Sequence, residues 1–186
     1  MNLDEEKELI KRAKKDPDAF GKIYDEYYSK IFGYTLKRVA NIDIAQDITS
    51  ETFFKAFKNL WKFRWQNIPF SAWLYRIASN ETSNFFRKKG RKTISLEGIS
   101  ELISDSNPFA EIAEAQEQLK RHKEFLDLQK KISTLSLKYQ EVITLRFFEK
   151  KQIKEIGEIL GKKEGTIKSL LHRGLDKLRR QINATN

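Results

Sequence analysis

Apolar residues recur along most of this chain at intervals of three or four positions, which is the spacing of one face of an α-helix. A clear example is the run Phe20, Ile23, Tyr27, Ile31 and Tyr34. This pattern predicts an all-α protein. The expected helices cover residues 3–14, 16–39, 44–60 and 71–88, a helix that ends near 131, a helix over 139–148, and a final pair between 152 and 180.

Local signals mark where several of these helices begin and end. Asp16 can cap the second helix, with Pro17 at its first position. Residues 41–43 interrupt the pattern, and residues 61–70, which include a proline, are expected to form a loop. Gly161 can adopt the left-handed conformation that ends a helix. The sequence has only 8 glycines and 3 prolines, which favours long helices over a turn-rich all-β fold.

The basic charge of the chain lies in two blocks with an acidic segment between them. Lys and Arg outnumber Asp and Glu 36 to 26, for a net charge of +10, a balance that favours polyanionic partners such as nucleic acid. Residues 61–92 carry eight bases and one acid, residues 150–180 ten bases and four acids, and residues 93–127 eight acids and three bases. The predicted organisation is two small helical domains joined by a flexible acidic linker, with the domains at 1–92 and 116–186 and the linker at 93–115.

The final pair of helices has the pattern of a helix-turn-helix. Ile153, Ile156 and Ile159 lie on one face, and a glycine-containing turn leads to a second, basic helix. In this motif the second helix enters the major groove of DNA. The candidates for contacts with phosphates and base edges are Lys162, Lys163, Glu164, Thr166, Lys168, Ser169, His172 and Arg173. From spacing alone, a helical hairpin with a solvated basic face is the alternative.

Three carboxylates in the first half share one helix face. Asp43, Asp47 and Glu51 recur every four residues, so they project together. They can form a solvated acidic stripe, a protein-docking face, or a catalytic or metal-binding pair. Catalysis and metal binding are disfavoured because the chain has only two histidines, His122 and His172, and neither is nearby.

The segment 71–92 combines aromatic, amide and basic residues that can stack on bases, pair with them and bind phosphate. These residues are Trp73, Tyr75, Arg76, Asn80, Asn84, Arg87, Lys88, Lys89, Arg91 and Lys92. This is the chemistry of single-stranded nucleic-acid capture. The alternative is that Trp73 and Phe85 belong to the core and that the basic helix end is favoured by the helix dipole.

Several function classes are disfavoured by what the sequence lacks. There are no cysteines, which excludes disulfides, Cys-ligated zinc and a thiol nucleophile. We find no phosphate-binding loop, metal-ligand cluster or nucleophile–base pair, so we expect neither an enzyme nor a cofactor. The charged N-terminus is not a signal peptide and no run of about 18 apolar residues could span a membrane. We therefore expect a cytoplasmic protein.

Segments in both halves resemble the extracytoplasmic-function (ECF) sigma factors of bacterial RNA polymerase. DPDAFGKIYDEYY, DIAQDITSETFFKAF and AWLYRIASNETSNFFRKKGR are similar to the N-terminal helical domain of that family, in the expected order. ILGKKEGTIKSLLHRGLDKLRR is similar to its helix-turn-helix. Leu170 stands where the family frequently has Arg, so this position either lacks a DNA contact or belongs to the core.

The resemblance implies a protein that binds core RNA polymerase, recognises −10 and −35 promoter elements and helps to melt DNA. It implies that Asp47, Glu51 and Phe54 dock on the polymerase and that residues 162–173 read duplex DNA at −35. It implies capture of single-stranded −10 DNA by Trp73 and Asn80, next to a pocket that includes Phe63 and Arg64. Many members of the family are held by an anti-sigma factor, which is therefore a further candidate partner.

Two functions of other classes also fit part of the pattern. A stand-alone transcriptional regulator would bind an operator through the helix-turn-helix and use its first half to dimerise or to sense a ligand. A recombinase would need a Ser or Tyr nucleophile among clustered arginines, and the lysine-rich first half does not contain such a cluster.

Overall fold

The computed structural model describes residues 3–65, 69–89 and 127–183, and within these ranges every regular element is helical. The helices are α1 (Leu3–Ala13), α2 (Pro17–Val39), α3 (Ile42–Asn59), α4 (Phe70–Lys89), α5 (127–134), α6 (Leu137–Ile143), α7 (Ile153–Leu160) and α8 (Glu164–Asn183). A 3-10 turn over Leu60–Lys62 follows α3, and a π-helical turn over Thr144–Phe148 follows α6. The predicted all-α class is confirmed. The predicted linker over 93–115 lies outside the described residues.

Two capping signals read from the sequence are confirmed. The Asp16 side chain accepts a hydrogen bond from the Asp18 N–H at 3.0 Å, and Pro17 is the first residue of α2. Gly161 ends α7 with φ +63°, in the left-handed region. Gly157, one turn earlier, is also required, since a Cβ there would lie 2.7 Å from the carbonyl oxygen of Lys162. Glycine at both positions lets the chain turn sharply between α7 and α8.

The helices differ from the sequence prediction mainly at their ends. The Asn41 side chain accepts from the Ile44 N–H at 2.9 Å, so α3 begins at Ile42, earlier than predicted. The helix predicted over 139–148 begins at Leu137 and widens into the π-helical turn. The helix predicted to end near 131 continues to 134, and the expected loop over 61–70 begins with the 3-10 turn.

The N-terminal domain is built on α2, α3 and α4, which pack against one another, with α1 on α2. Its core includes the fully buried side chains of Ile23, Ile31, Tyr34, Phe70 and Leu74. These positions belong to the three- and four-residue repeats of their helices, so each helix turns one apolar stripe inward. None of the helices in the described part of the chain is long and apolar enough to cross a bilayer.

The C-terminal domain places α6 and α7 against α8. Val142, Ile143, Ile156, Ile159 and Ile167 are almost completely buried there. Gly174 permits the close crossing of α6 and α8, because a Cβ at this position would lie 3.1 Å from Cδ1 of Ile143.

The two helical domains pack against each other in this structure. The α4 helix contacts α7, and α2 contacts the π-helical turn. Buried apolar residues from both domains form one continuous cluster. The described residues therefore form a closed arrangement, in which surfaces of the N-terminal domain are covered by the C-terminal domain.

Candidate nucleic-acid and protein interfaces

The helix-turn-helix predicted from the sequence is present. The Lys162 N–H donates to the Gly157 carbonyl at 2.9 Å and closes the end of α7. The N–H groups of Thr166 and Ile167 donate to the Lys163 carbonyl at 2.9 and 3.1 Å, which starts α8 directly after the turn. The turn therefore fixes the direction in which the first residues of α8 project.

The candidate DNA-contacting residues all lie on the accessible side of this motif. Lys162, Lys163, Glu164, Thr166, Lys168, Ser169, His172 and Arg173 are exposed. The opposite face of α8 is buried through Ile167, Leu170, Leu171 and Leu178. Leu170 thus joins the core, which decides between the two alternatives for that position.

Two of these side chains contact their own helix. Arg173 Nε donates to the Ser169 carbonyl at 3.2 Å, and His172 Nε2 lies 3.4 Å from Asp176 Oδ2. Both arrangements are exposed. Because exposed pairs contribute little to stability, these side chains can exchange such contacts for a phosphate or a base edge at low cost.

A second exposed surface combines carboxylates with aromatic rings along α3. Asp43, Asp47 and Glu51 are exposed, and their four-residue spacing places them on one face of the helix. Glu51 forms an ion pair with Lys55 at 3.1 Å, and Lys55 also pairs with Glu81 of α4 at 2.7 Å. The acidic stripe is therefore at the surface and is joined to α4 through one lysine.

Apolar side chains extend this surface toward the end of α3. Phe54, Phe57 and Trp61 are 59%, 46% and 69% exposed. An exposed aromatic cluster beside an acidic stripe is typical of a protein-binding surface. Sequence analysis selected Phe54 and missed Phe57 and Trp61, although both stand at helical spacing from it, three and seven residues further on. That spacing is the signal that could have found them.

Basic and aromatic residues of the N-terminal domain line a cavity of about 250 Å³. Its walls come from the end of the 3-10 turn, the start of α4 and one residue of α7: Lys62, Phe63, Arg64, Pro69, Ala72, Trp73, Arg76 and Glu158. The Phe63 and Trp73 rings lie 5.2 Å apart between centroids. Two aromatic faces with three cations around them can stack a base and bind its phosphate.

The structure separates the other candidates for −10 DNA into groups. Asn80, Arg87 and Lys88 are exposed on α4, and Asn84 is partly buried and accepts from Arg87 at 3.0 Å. Trp73 is partly buried among the rings of Phe63 and Phe70, so it packs on the core, and it also lines the cavity. Phe85 is partly buried against a smaller apolar cluster.

Tyr75 lies in the interior of the closed arrangement. It is 3% exposed, and its hydroxyl donates to Glu149 Oε2 at 2.7 Å. Burial raises the pKa of Tyr75 above its usual range, and the Glu149 carboxylate raises it further. The hydroxyl therefore remains a donor to the C-terminal domain.

Arg76 is also engaged by the C-terminal domain. Its Nε donates to the Ile159 carbonyl at 3.2 Å, and Nη2 donates to the Glu158 carbonyl. These are carbonyls at the end of α7, which carries partial negative charge and lacks intrahelical donors. In the closed arrangement, Arg76 therefore caps α7 from the neighbouring domain.

Two segments of the chain match known protein families. Residues 23–92 match the family described as Sigma-70 region 2, and residues 125–178 match Sigma-70 region 4. The chain is 37% identical to the ECF RNA polymerase sigma factor SigW of Bacillus subtilis, over 95% of this chain and 96% of SigW. It is 33% identical to the ECF RNA polymerase sigma factor BldN of Streptomyces coelicolor, over 94% of this chain and 65% of BldN.

The chain is an ECF RNA polymerase sigma factor. As a sigma factor it binds RNA polymerase, directs promoter recognition and takes part in transcription initiation. Sigma factors are not enzymes, so the recombinase alternative is wrong. Because the chain belongs to the sigma factor family, the alternative of a stand-alone regulator is also wrong.

Solved structures share the fold of this ECF sigma factor at low sequence identity. CnrH, solved in complex with the cytosolic domain of CnrY, gives a TM-score of 0.72 at 19% identity, over 97% of this chain and 99% of that chain. The sigma factor RpoE of Bartonella quintana, solved with the anti-sigma factor NepR, gives a TM-score of 0.62 at 21% identity, over 90% of this chain and 98% of that chain. Both likenesses concern the helical architecture.

Proposed function

We propose that this sigma factor divides its work among three surfaces on two domains. The exposed face of α8 reads the −35 duplex, the acidic and aromatic surface of α3 docks on core polymerase, and the aromatic cavity beside α4 captures single-stranded −10 DNA. The observation that carries this proposal is the exposure of all eight candidate residues of the helix-turn-helix, opposite a fully apolar buried face. The proposed boundaries are 1–92 for the first domain, 93–115 for the linker and 116–186 for the second domain.

At −35, the first turns of α8 enter the major groove, where base edges offer a distinct pattern for each base pair. Lys168 and Arg173 supply the positive charges on this face, and Thr166 and Ser169 supply hydroxyl groups. Lys162 and Lys163, in the turn, bind the phosphates that set the register of the helix on DNA.

At −10, a base leaves the stack and enters the cavity that Phe63 and Trp73 line, beside the two rings and not between them. Stacking on the aromatic rings offsets the cost of unstacking, which is a few kcal/mol. Arg64 and Arg76 bind the backbone phosphates beside it, and Asn80, Asn84, Arg87 and Lys88 continue the track along α4. Tyr75 is left out of this surface because its ring packs edge-to-face on Tyr34 of its own domain, 5.2 Å between centroids, a contact that domain separation does not remove.

The closed arrangement must open before both promoter elements can be bound. The −35 and −10 elements are about 25 base pairs apart, which is about 85 Å along B-DNA at about 3.4 Å per pair. The longest described helix, α2 with 23 residues, spans about 35 Å at 1.5 Å per residue. Two domains in direct contact therefore cannot reach both elements, and separation also frees Arg76 from α7.

The interface between the domains contains a charge that is incompletely paired, which favours this opening. Arg38 is buried and lies 3.5 Å from Glu141, and its Nη1 donates to the Tyr34 hydroxyl at 2.9 Å. Within the described residues, its Nε and Nη2 have no hydrogen-bond acceptor. Burying such groups costs free energy that is recovered when the domains separate into water.

The protein works in the cytoplasm in this proposal, because RNA polymerase and promoter DNA are located there. An anti-sigma factor is a candidate further partner, since CnrH and RpoE were each solved with a protein partner, which in the RpoE complex is named an anti-sigma factor.

The division of labour is tested by mixing the purified protein with bacterial core RNA polymerase and measuring co-elution. We expect tight binding by the natural sequence and loss of binding when Asp47→Arg and Glu51→Arg are combined. The matched control combines Glu8→Arg with Asp25→Arg, which reverses the same charge at exposed positions of α1 and α2. Equal loss in both double variants would contradict a specific docking face on α3.

A further inference from the structure

A buried glutamate in α1 holds the start of α4. Glu6 is 4% exposed, although glutamates are rarely buried without partners. Its Oε1 accepts a hydrogen bond from the Tyr27 hydroxyl of α2 and another from the backbone N–H of Phe70, with N···O 3.1 Å. Burial raises the pKa of Tyr27 above its usual range, and the hydrogen bond to Glu6 adds to the rise. Tyr27 therefore remains a donor that fixes the carboxylate in place.

The N–H of Phe70 requires an acceptor from outside its own helix. Phe70 is the first residue of α4, and the first four N–H groups of a helix have no intrahelical partner. The Phe70 side chain is fully buried, and the preceding residue, Pro69, has no side-chain acceptor. Glu6 serves as the cap of α4 from 64 positions away, and its carboxylate suits the positive end of the helix dipole.

The residue directly after α1 contacts one wall of the cavity lined by Phe63 and Trp73. Lys14, directly after α1, donates from Nζ to the Phe63 carbonyl at 2.6 Å. The Phe63 ring lies 5.1 Å from that of Phe70 and 5.2 Å from that of Trp73, between centroids. Residues near both ends of α1 therefore reach the neighbourhood of the cavity. Lys14 bonds to its lining residue Phe63, and Glu6 bonds to Phe70, which stands in sequence between the lining residues Pro69 and Ala72.

This helix lies outside the segment that carries the region 2 match, which begins at residue 23. Its own surface carries none of the candidate docking or DNA residues. Its long-range polar contacts, however, reach Phe63 in the cavity lining through Lys14 and Phe70 beside the lining through Glu6.

We propose that α1 is a positioning element for the −10 pocket, in which Glu6 fixes the start of α4 and Lys14 fixes the Phe63 wall at stacking distance from Trp73. This inference rests on the proposed function of the cavity. The ligand is a single-stranded base of the −10 element, and neither Glu6 nor Lys14 touches it.

The experiment compares variants of the full chain in complex with core polymerase. Glu6→Ala removes the acceptor, Glu6→Gln keeps a carbonyl oxygen that can accept from both Tyr27 and Phe70, and Ile10→Val weakens core packing in the same helix without touching the cavity. The probe is a promoter fragment that the wild-type holoenzyme selects from a randomised library, carrying a fluorescent base analogue in its −10 element. Circular dichroism sets a temperature at which all variants are folded.

We expect Glu6→Ala to reduce −10 opening by a factor of about 5 to 30, because a buried N–H loses its partner and the pocket wall loosens. Co-elution with polymerase should be unchanged, and Glu6→Gln should restore opening to within about twofold, because the hydrogen-bond acceptor is kept. Amide hydrogen exchange over 69–74 should accelerate in Glu6→Ala and not in Ile10→Val. Lys14→Met should give a smaller defect in the same direction.

Two results would overturn the proposal. One is equal opening by Glu6→Ala and Ile10→Val, which would reduce α1 to a structural role. The other is failure of Glu6→Gln to restore opening, which would reject the hydrogen-bond acceptor as the cause. The variant Trp73→Ala distinguishes failure of the positioning proposal from failure of the proposed function of the cavity. If Trp73→Ala opens DNA normally, the cavity is not the −10 pocket. If Trp73→Ala is defective in −10 opening while Glu6→Ala opens DNA normally, only the positioning proposal fails.

Discussion

The two DNA-binding surfaces proposed for this sigma factor differ in how accessible they are in the closed arrangement. On α8 every candidate residue is exposed, and the buried residues lie on the opposite face. On α4 the candidates are divided: Asn80 is exposed, Trp73 is partly buried, Tyr75 is interior, and Arg76 is bonded to α7. The −35 surface is therefore ready to bind, whereas the −10 surface is partly covered.

The difference follows from how each helix is packed. The α8 helix lies at the edge of its domain, so one apolar stripe is buried and the remaining surface faces water. The α4 helix packs against α2, α3 and α7, so polar residues on several of its faces meet protein. A polar residue on a helix with neighbours on several sides can be a partner of those neighbours, and sequence spacing does not distinguish this from a DNA contact.

The largest effect is expected on the accessible surface. Replacing Lys168 and Arg173 together with Ala should reduce −35-dependent transcription by at least about 30-fold, because each base or phosphate contact contributes about 1–3 kcal/mol. Polymerase binding should be retained. The control combines Lys177→Ala with Arg179→Ala, which removes the same charge from exposed positions further along α8. Similar losses in transcription for the two pairs would point to general electrostatic attraction.

On the covered surface, Trp73→Ala should reduce opening of −10 DNA by about 5- to 150-fold, the equivalent of one stacking interaction of about 1–3 kcal/mol. Formation of the closed complex should change much less, because it depends on the −35 contacts. Permanganate reactivity of unpaired thymines measures opening of the DNA. A gel-shift assay measures the closed complex, in which the promoter DNA is still double-stranded. Asn80→Ala, at an exposed position, should act in the same direction without a loss of folding stability. Equal reduction of both steps by Asn80→Ala would argue against base capture.

Glu149 makes contacts between the two domains, and replacing it should weaken the closed arrangement. Its carboxylate accepts from Lys37 of α2 at 2.8 Å and from Tyr75 of α4 at 2.7 Å. Glu149→Ala should shift the closed-to-open ratio of the free protein by about 5- to 30-fold, since about 1–2 kcal/mol of partly buried hydrogen bonding is lost. Small-angle scattering should then show a larger radius of gyration. An unchanged radius would mean that apolar contacts between the domains suffice to keep them closed.

The smallest effect is expected from Tyr75→Phe. This change removes only the hydroxyl bond to Glu149, so unfolding stability should fall by about 1 kcal/mol in a denaturant titration. Opening of −10 DNA should remain at the wild-type level, because Tyr75 is not part of the DNA surface. A defect in opening as large as that of Trp73→Ala would return Tyr75 to the −10 site.

The features that sequence analysis predicted well depend on local chemistry. The Asp16 cap, the end of α7 at Gly161 and the buried face of α8 follow from residues close in sequence. The shared face of the acidic stripe on α3 likewise follows from its four-residue spacing.

The features that were missed depend on distant partners. Glu6 caps a helix that begins 64 residues later, Tyr75 is buried against Glu149, and Arg76 bonds to carbonyls of the other domain. Because these contacts arise only when the helices pack, no local pattern contains them. The closed arrangement was missed for the same reason. The sequence showed two basic domains joined by an acidic segment, and this pattern predicts domains that stay apart.

The central claim is that the two domains touch in the free protein and separate on the promoter. Because the chain has no cysteines, Lys22→Cys in α2 and Lys177→Cys in α8 give two exposed positions for a donor and an acceptor dye. We predict efficient energy transfer in the free protein and almost none in the open promoter complex, where the sites that the domains bind are about 85 Å apart. Efficient transfer that persists in a transcriptionally active complex would contradict the account.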